Sequence, residues 1–282
     1  MSTDMTLVAE KYRIVSKLQK GSFGEVFLGI NIMSNNNVAI KKINRQSYDY
    51  KLRKESLDIK IKREIEIPKL LDHKNIIKID DYHETNQFSY MIYPYFTNSK
   101  AMCDLEESDL DFQIKNTLIK MVDNLWSIID AIEYMHSRNI VHRDIKPENI
   151  LITDGGPLII DFDLSSIVGD AILYPKKGYV GSPYFMAPEI FRQDDEINYF
   201  LTDIYSYGVT FYYIFNNQNL PYNKNTIDEL EQDILYEKPI PSISKFKSVN
   251  RLIMSIINKN SSDRPAIIDI KKALSDFISK FI

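Results

Sequence analysis

Hydrophobic positions follow one period early in this chain and another later. Residues 12–43 alternate apolar and polar side chains and are rich in β-branched residues, in YRIVSKL, EVFLGI and NVAIKKI. The turn signals KGS and MSNNN separate these segments, so the pattern predicts a three-strand antiparallel meander. Over 50–71 the period changes: YKLRKESLDIKIKREIEIPKLL interleaves charges with apolar residues at helical spacing. Pro68 is expected to kink or shorten that helix. FSYMIYPYF at 88–96 reads as a strand ending at Pro94, and the polar, acidic stretch 97–111 as a linker edge or short helix. A long amphipathic helix is predicted over 114–136. ILI at 150–152 and LII at 158–160 flank TDGGP, a short hairpin. After 183 the pattern is mostly helical, and no internal repeat interrupts it. Strands early and helices late predict an α+β protein in two lobes.

Composition narrows the classes. The chain has 282 residues, 44% hydrophobic and 26% charged, an ordinary globular balance. A net charge of −4 provides no strong field for nucleic acid or a membrane surface. The single cysteine, Cys103, excludes an intrachain disulfide and reads as an inert thiol in a reducing compartment. The N-terminal MSTDMTLVAEKYR has no apolar h-region, and GVTFYYIF at 208–215 is too short to span a bilayer, so a cytoplasmic or nuclear location is expected. Nothing in the pattern speaks to oligomeric state.

Two polar stretches carry candidate chemistry. In IVHRDIKPENILI (140–152), six of eight residues at 142–149 are polar or ionisable, bracketed by aliphatics. The bland reading is a solvated loop. Pinned between two hydrophobic anchors, however, Asp144, Lys146 and Asn149 supply a base, a cation and a metal-capable amide within six residues. In PLIIDFDL (157–164), Asp161 and Asp163 sit beside a strand-like aliphatic run, where a carboxylate is costly to desolvate unless a cation meets it.

HRDIKPEN resembles the catalytic loop of eukaryotic-type serine/threonine protein kinases. Other elements follow in that family's order: LQKGSFGEV (18–26) resembles its glycine-rich loop, with Gly21 and Gly24 matching and Gln19 at the first glycine; VAIK (38–41) its lysine strand; KREIEI its glutamate helix. IIDFDL resembles its Asp-Phe-Gly motif, GSPYFMAPE the end of its activation segment, and TDIYSYG an Asp-x-Trp-Ser-x-Gly helix with Tyr205 for tryptophan. Singly, each has a bland alternative: a glycine turn, an exposed strand lysine, a solvated glutamate. Seven in order over 12–282 do not.

The resemblance implies a bilobal kinase-like fold, with a small lobe over about 12–93, a hinge at 94–97 and a larger lobe over 98–282. It implies ATP with Mg²⁺ and protein substrates bearing Ser or Thr. Residue by residue, it implies Lys41 on the α/β-phosphates oriented by Glu64, Asp144 as base, Lys146 on the γ-phosphate, and Asn149 with Asp161 on the metal. Adenine would lie between Val26 and Ala39 on one side and Leu151 on the other, with Phe96 offering its backbone N–H beside Pro94 and Tyr93 at the gatekeeper position. Phe162 is expected to pack under the Glu64 helix, Glu189 to pair with Arg264, Asp203 to hold the catalytic-loop backbone, and Ser182 to contact Asp144 and Lys146.

Several residues depart from the pattern. Asp163 replaces a glycine and is expected to restrict flipping of its motif. Pro68 stands four residues after Glu64 and is expected to weaken the Lys41–Glu64 pair. Arg143 in this family often implies control by a phosphate in the activation segment, yet the usual site falls near Lys177–Gly178, with Ser165, Ser166, Tyr174 and Tyr179 the nearest candidates, so activity is expected not to require a conventional activation-segment phosphate. These departures keep a second reading in view, a catalytically weak nucleotide-binding scaffold. Its relatives lose at least one of Lys41, Glu64, Asp144, Asn149 and Asp161, all present here.

Overall fold

A computed structural model describes residues 7–20, 24–46, 54–170, 180–242 and 244–280. The alternating segments pair as expected. Strands β1 (Leu7–Val8), β2 (Tyr12–Lys20), β3 (Glu25–Asn31) and β4 (Asn37–Asn44) form a meander. Helix α1 (Lys54–Lys69) follows, then β5 (Asp81–Glu84) and β6 (Phe88–Pro94). The sheet is antiparallel, in the order β1-β2-β3-β4-β6-β5.

Because side chains alternate across a strand, β4 and β6 each serve two layers. Val38, Ile40, Tyr90 and Ile92 pack on one face. Ile43 and Met91 pack on the other, against Ile61 and Ile65 of α1. That packing seats α1 on the sheet. Pro68 shortens the helix as expected, which stops one residue later, and the Leu71 amide donates to the Pro68 carbonyl at 3.1 Å.

The larger lobe begins with β7 (Lys100–Ala101) and two short 3₁₀ turns, Met102–Asp104 and Glu107–Leu110, where the sequence suggested a linker or short helix. Helix α2 (Lys115–His136) buries a stripe of Leu118, Met121, Leu125, Ile128, Ile132 and Met135, the spacing of one helical face. Then come β8 (Ile140–Val141), the hairpin of β9 (Ile150–Thr153) with β10 (Gly156–Ile159), and β11 (Ser166–Ile167), which pairs with β8.

Helices α3 (Pro188–Arg192), α4 (Tyr199–Phe215), α5 (Ile227–Tyr236), α6 (Lys247–Ile256) and α7 (Ile267–Ile278) complete the lobe. Asn198 caps α4 by accepting the Phe200 amide at 3.1 Å. Helices α4 and α6 approach so closely at Gly208 that a Cβ there would lie 2.5 Å from Ile256 Cγ2. The core that α2 and α4 share also includes Ile67, Leu71 and Phe162, so it reaches across to the end of α1. A small antiparallel sheet with one helix, joined to a mainly helical body, is the bilobal α+β fold expected. Among the described residues, no helix is long and apolar enough to cross a membrane.

Candidate active site

The site is built where α1, the loop between β8 and β9, and the loop after β10 face β4. Lys41 projects from β4 and donates to both Glu64 carboxylate oxygens at 2.6 Å and to Asp161 Oδ1 at 3.1 Å. Pro68 therefore does not weaken the pair: it lies in the last turn of α1, past Glu64. Glu64 Oε1 also accepts the Tyr93 hydroxyl at 2.7 Å.

Burial pushes the Glu64 carboxyl up to about 7 against the pull of Lys41, and the nearby Asp161 and Asp163 push the same way. Burial also works against the Lys41 ammonium, but Glu64, Asp161 and Asp163 outweigh it and hold its pKa above the ordinary lysine value. For Asp161, burial is outweighed by Lys41, with His142 and Lys146 adding to the pull, so the carboxyl stays below its usual range. Asp161 has φ 67°, a left-handed conformation that costs a non-glycine residue energy and must be held by its surroundings. Its neighbour Phe162 is fully buried and meets the His142 ring edge-on at 5.0 Å. Phe162 belongs to the same buried core as Ile67 of α1.

The β8–β9 loop is held from beneath. Fully buried Asp203 on α4 accepts the His142 and Arg143 amides, each at 2.8 Å, and contacts His136 Nε2 at 3.0 Å. Burial would raise its carboxyl, but His136, His142 and the Arg143 amide hold it below the ordinary value. The loop then presents Asp144, Lys146 and Asn149 together. Asn149 Nδ2 donates to Asp144 Oδ2 at 2.9 Å and to the Asp144 carbonyl at 2.8 Å. Lys146 Nζ lies 2.8 Å from Asp144 Oδ2 and donates to Ser182 Oγ at 2.5 Å. The Ser182 amide donates to Asp144 Oδ1 at 2.8 Å. Gly181 has φ 114°, and a Cβ there would lie 2.7 Å from the Arg143 carbonyl, so this approach to the loop requires glycine.

Below the site, Glu189 on α3 and Arg264 form a bidentate pair at 2.6 and 2.7 Å, both buried. Arg264 lies over the Tyr205 ring at 4.9 Å, so tyrosine supplies an aromatic face where the resemblance expected tryptophan.

The remaining predicted positions are distributed as follows. Gln19 lies on β2 opposite Val26, and Val26 pairs with Lys41 on β4. Ala39 pairs with Tyr93, and Pro94 ends β6. Gly24 precedes β3, where a Cβ would meet the Lys42 carbonyl at 2.6 Å. Phe96 and Leu151 pack at the edge of the larger core, and the Phe96 amide has no protein acceptor among the described residues. Gly21 lies outside the described residues, as do Tyr174, Lys177, Gly178 and Tyr179.

Ser165 and Ser166 are fully buried, and Arg143 donates to Ser166 Oγ at 3.2 Å. As folded, neither serine is open to modification, because both sit against the β8–β9 loop. Cys103 fits its inert reading: burial, then Asp104 and Glu148, push its thiol up to about 11. Sequence reading missed two contacts, the Tyr93 hydroxyl on Glu64 and an ion pair of Lys60 with Asp163 at 3.3 Å. For the second, the i, i+4 spacing of Lys60 and Glu64 put both on one face of α1 but did not point to Asp163.

This arrangement can hold a cation against a phosphate from β4, offer hard oxygens to a metal, and place a carboxylate beside an acceptor. The model of the protein kinase domain matches residues 12–276. A candidate serine/threonine-protein kinase of Acanthamoeba polyphaga mimivirus, R436, is 40% identical over 274 residues, 96% of each chain. Calcium-dependent protein kinase 6 of Plasmodium berghei is 33% identical over 87% of this chain and 16% of its own length. Calcium-dependent protein kinase 4 of Plasmodium falciparum is 30% identical over 89% of this chain and 46% of its own length. The chain belongs to the protein kinase family.

Proposed function

We propose that this protein transfers the γ-phosphoryl group of ATP to Ser or Thr hydroxyls of protein substrates. The observation that carries this reading is the convergence of Lys41, Glu64 and Asp161 with the hydrogen-bonded group of Asp144, Lys146, Asn149 and Ser182. It is also what weighs against the scaffold reading, since every polar group the transfer needs is present and paired.

The donor set fits a hard divalent cation. Asn149 donates through its nitrogen and Asp161 accepts Lys41 through Oδ1, so Asn149 Oδ1 and Asp161 Oδ2 remain as two oxygen donors. Mg²⁺ is held in this way, by one or two protein oxygens plus phosphate oxygens and water. Among the described residues, no group of three or more His, Cys, Asp or Glu could hold a metal by itself. When bound there, the ion would neutralise charge on the β- and γ-phosphates.

The chain's own residues do the rest. Lys41, oriented by Glu64, holds the α/β-phosphates. Lys146 steadies the transferred group, and Asp144 accepts the proton of the attacking hydroxyl. Asp203 fixes the loop that carries both, so their placement is set before substrate arrives. Adenine would pack between Val26 and Ala39 on one side and Leu151 on the other, with its edge on the Phe96 amide and the Pro94 carbonyl, under Tyr93, at a hinge over 94–97. Gln19 and Gly24 would lie over the phosphates.

Ser182 and Lys146 favour Ser and Thr over Tyr, since together they confine the acceptor close to Asp144. Incubating the protein with γ-labelled ATP, Mg²⁺ and a mixed protein substrate, then identifying the labelled amino acids, tests this. Label on Ser and Thr is expected. Label on Tyr alone, or none at all, would overturn the reading.

A further inference from the structure

Asp163 stands where the family's motif has glycine, yet its backbone has no need of one. Asp161 has a positive φ of 67°, whereas Asp163 is not among the positive-φ residues. Its side chain, 9% exposed, accepts Lys60 Nζ at 3.3 Å. Lys60 lies one helical turn before Glu64 on α1, so the two point from the same face. The contacts close into a ring. Asp161 meets Lys41, Lys41 meets Glu64, one turn of α1 leads to Lys60, and Lys60 returns to Asp163, two residues from the start.

A single ion pair leaves a helix free to pivot about it. Two pairs on consecutive turns fix both its rotation and its slide. The loop end of the ring is itself anchored, because Phe162 between the two aspartates is fully buried. Lys41 and Arg63 add positive charge around Asp163, and Asp161 opposes it.

We propose that Asp163, acting through Lys60, is a positioning residue that holds α1 at the phase in which Glu64 grips Lys41. A glycine at this position could not make that contact. The inference rests on the phosphoryl-transfer reading and deepens it: it makes the departure from the motif a stabiliser of the working state.

A double-mutant cycle on kcat tests the idea, with Lys60→Met, Asp163→Asn, the double variant and Lys60→Arg, each checked by melting curve. The single variants should each lower kcat by about threefold to tenfold, and the double should fall no further than the more impaired single, as coupled residues do. Lys60→Arg, which keeps a cation in reach, should retain kcat. Hydrogen exchange of the α1 amides should quicken equally in Lys60→Met, Asp163→Asn and the double. Multiplicative losses in the double, or unchanged kcat in both singles, would overturn the proposal. If Asp163→Asn does not fold, loss of kcat in Lys60→Met with recovery in Lys60→Arg decides the same point. Wild-type transfer separates the two readings: if the unaltered protein moves no label from γ-labelled ATP to protein, the function itself is wrong, not only the role of Asp163.

Discussion

Tyr93 and Lys41 donate to the same oxygen of Glu64, at 2.7 and 2.6 Å. A neutral hydroxyl on β6 and an ammonium on β4 thus share one buried carboxylate on α1. Both favour its ionised form, against burial that pushes it up to about 7.

The first prediction follows from that shared oxygen. Tyr93→Phe removes a donor that stabilises the charged form, so the Glu64 pKa rises further. A hydrogen bond to a charged group is worth about 1.5–3 kcal/mol, and one pKa unit about 1.4 kcal/mol. The acidic limb of kcat/KM for ATP should therefore move to higher pH by about one unit or more. An unmoved limb would mean that the hydroxyl does not tune Glu64.

Glu64 also links stability to pH. Its folded pKa of about 7 lies above its ordinary value of 4.5, so the folded chain holds a proton that the unfolded chain releases. That contribution is complete below about 4.5 and is lost as pH rises through about 7. Relative to Glu64→Gln, which does not titrate, the wild type should lose melting temperature between these limits, measured without nucleotide. A difference that stays flat across that window would refute the assignment.

Asp203 should be costly to remove. In Asp203→Ala the buried His142 and Arg143 amides lose their acceptor. Each unsatisfied buried donor costs about 1–3 kcal/mol. Urea unfolding should show that loss, and kcat should fall with it because Asp144 sits on the loop those amides anchor. Full stability in the variant would mean that the amides find other acceptors.

The Glu189–Arg264 pair makes a parallel prediction for the activation segment. Arg264→Ala leaves a buried carboxylate uncompensated, at a cost of about 3–5 kcal/mol. Replacing both residues with apolar side chains should restore much of that stability. A double variant as unstable as Arg264→Ala would contradict the account of the pair.

Much of this was legible in the chain because the site is carried by short contiguous motifs. Asp144, Lys146 and Asn149 sit within one loop, and Lys41 and Glu64 sit on elements whose periodicity is plain. The meander, α1, α2 and the β9–β10 hairpin emerged for the same reason. Strands β1, β5, β7, β8 and β11 did not, because two to four residues such as Asp81–Glu84 are too few to show a period and lack the paired aliphatic runs around a glycine turn that mark β9–β10. The Lys60–Asp163 and Tyr93–Glu64 contacts were also hidden. Each depends on how a helix is rotated against a loop or strand, which packing decides and local pattern does not record.

Asp144 bears the heaviest chemical burden, so its replacement is the most direct test. Transfer of label from γ-labelled ATP to a protein substrate should be compared between wild type and Asp144→Asn at matched melting temperature. General-base catalysis contributes about 10²–10⁴-fold, and the account predicts a loss in that range, with the wild-type label on Ser and Thr. Equal transfer by the two proteins would contradict it.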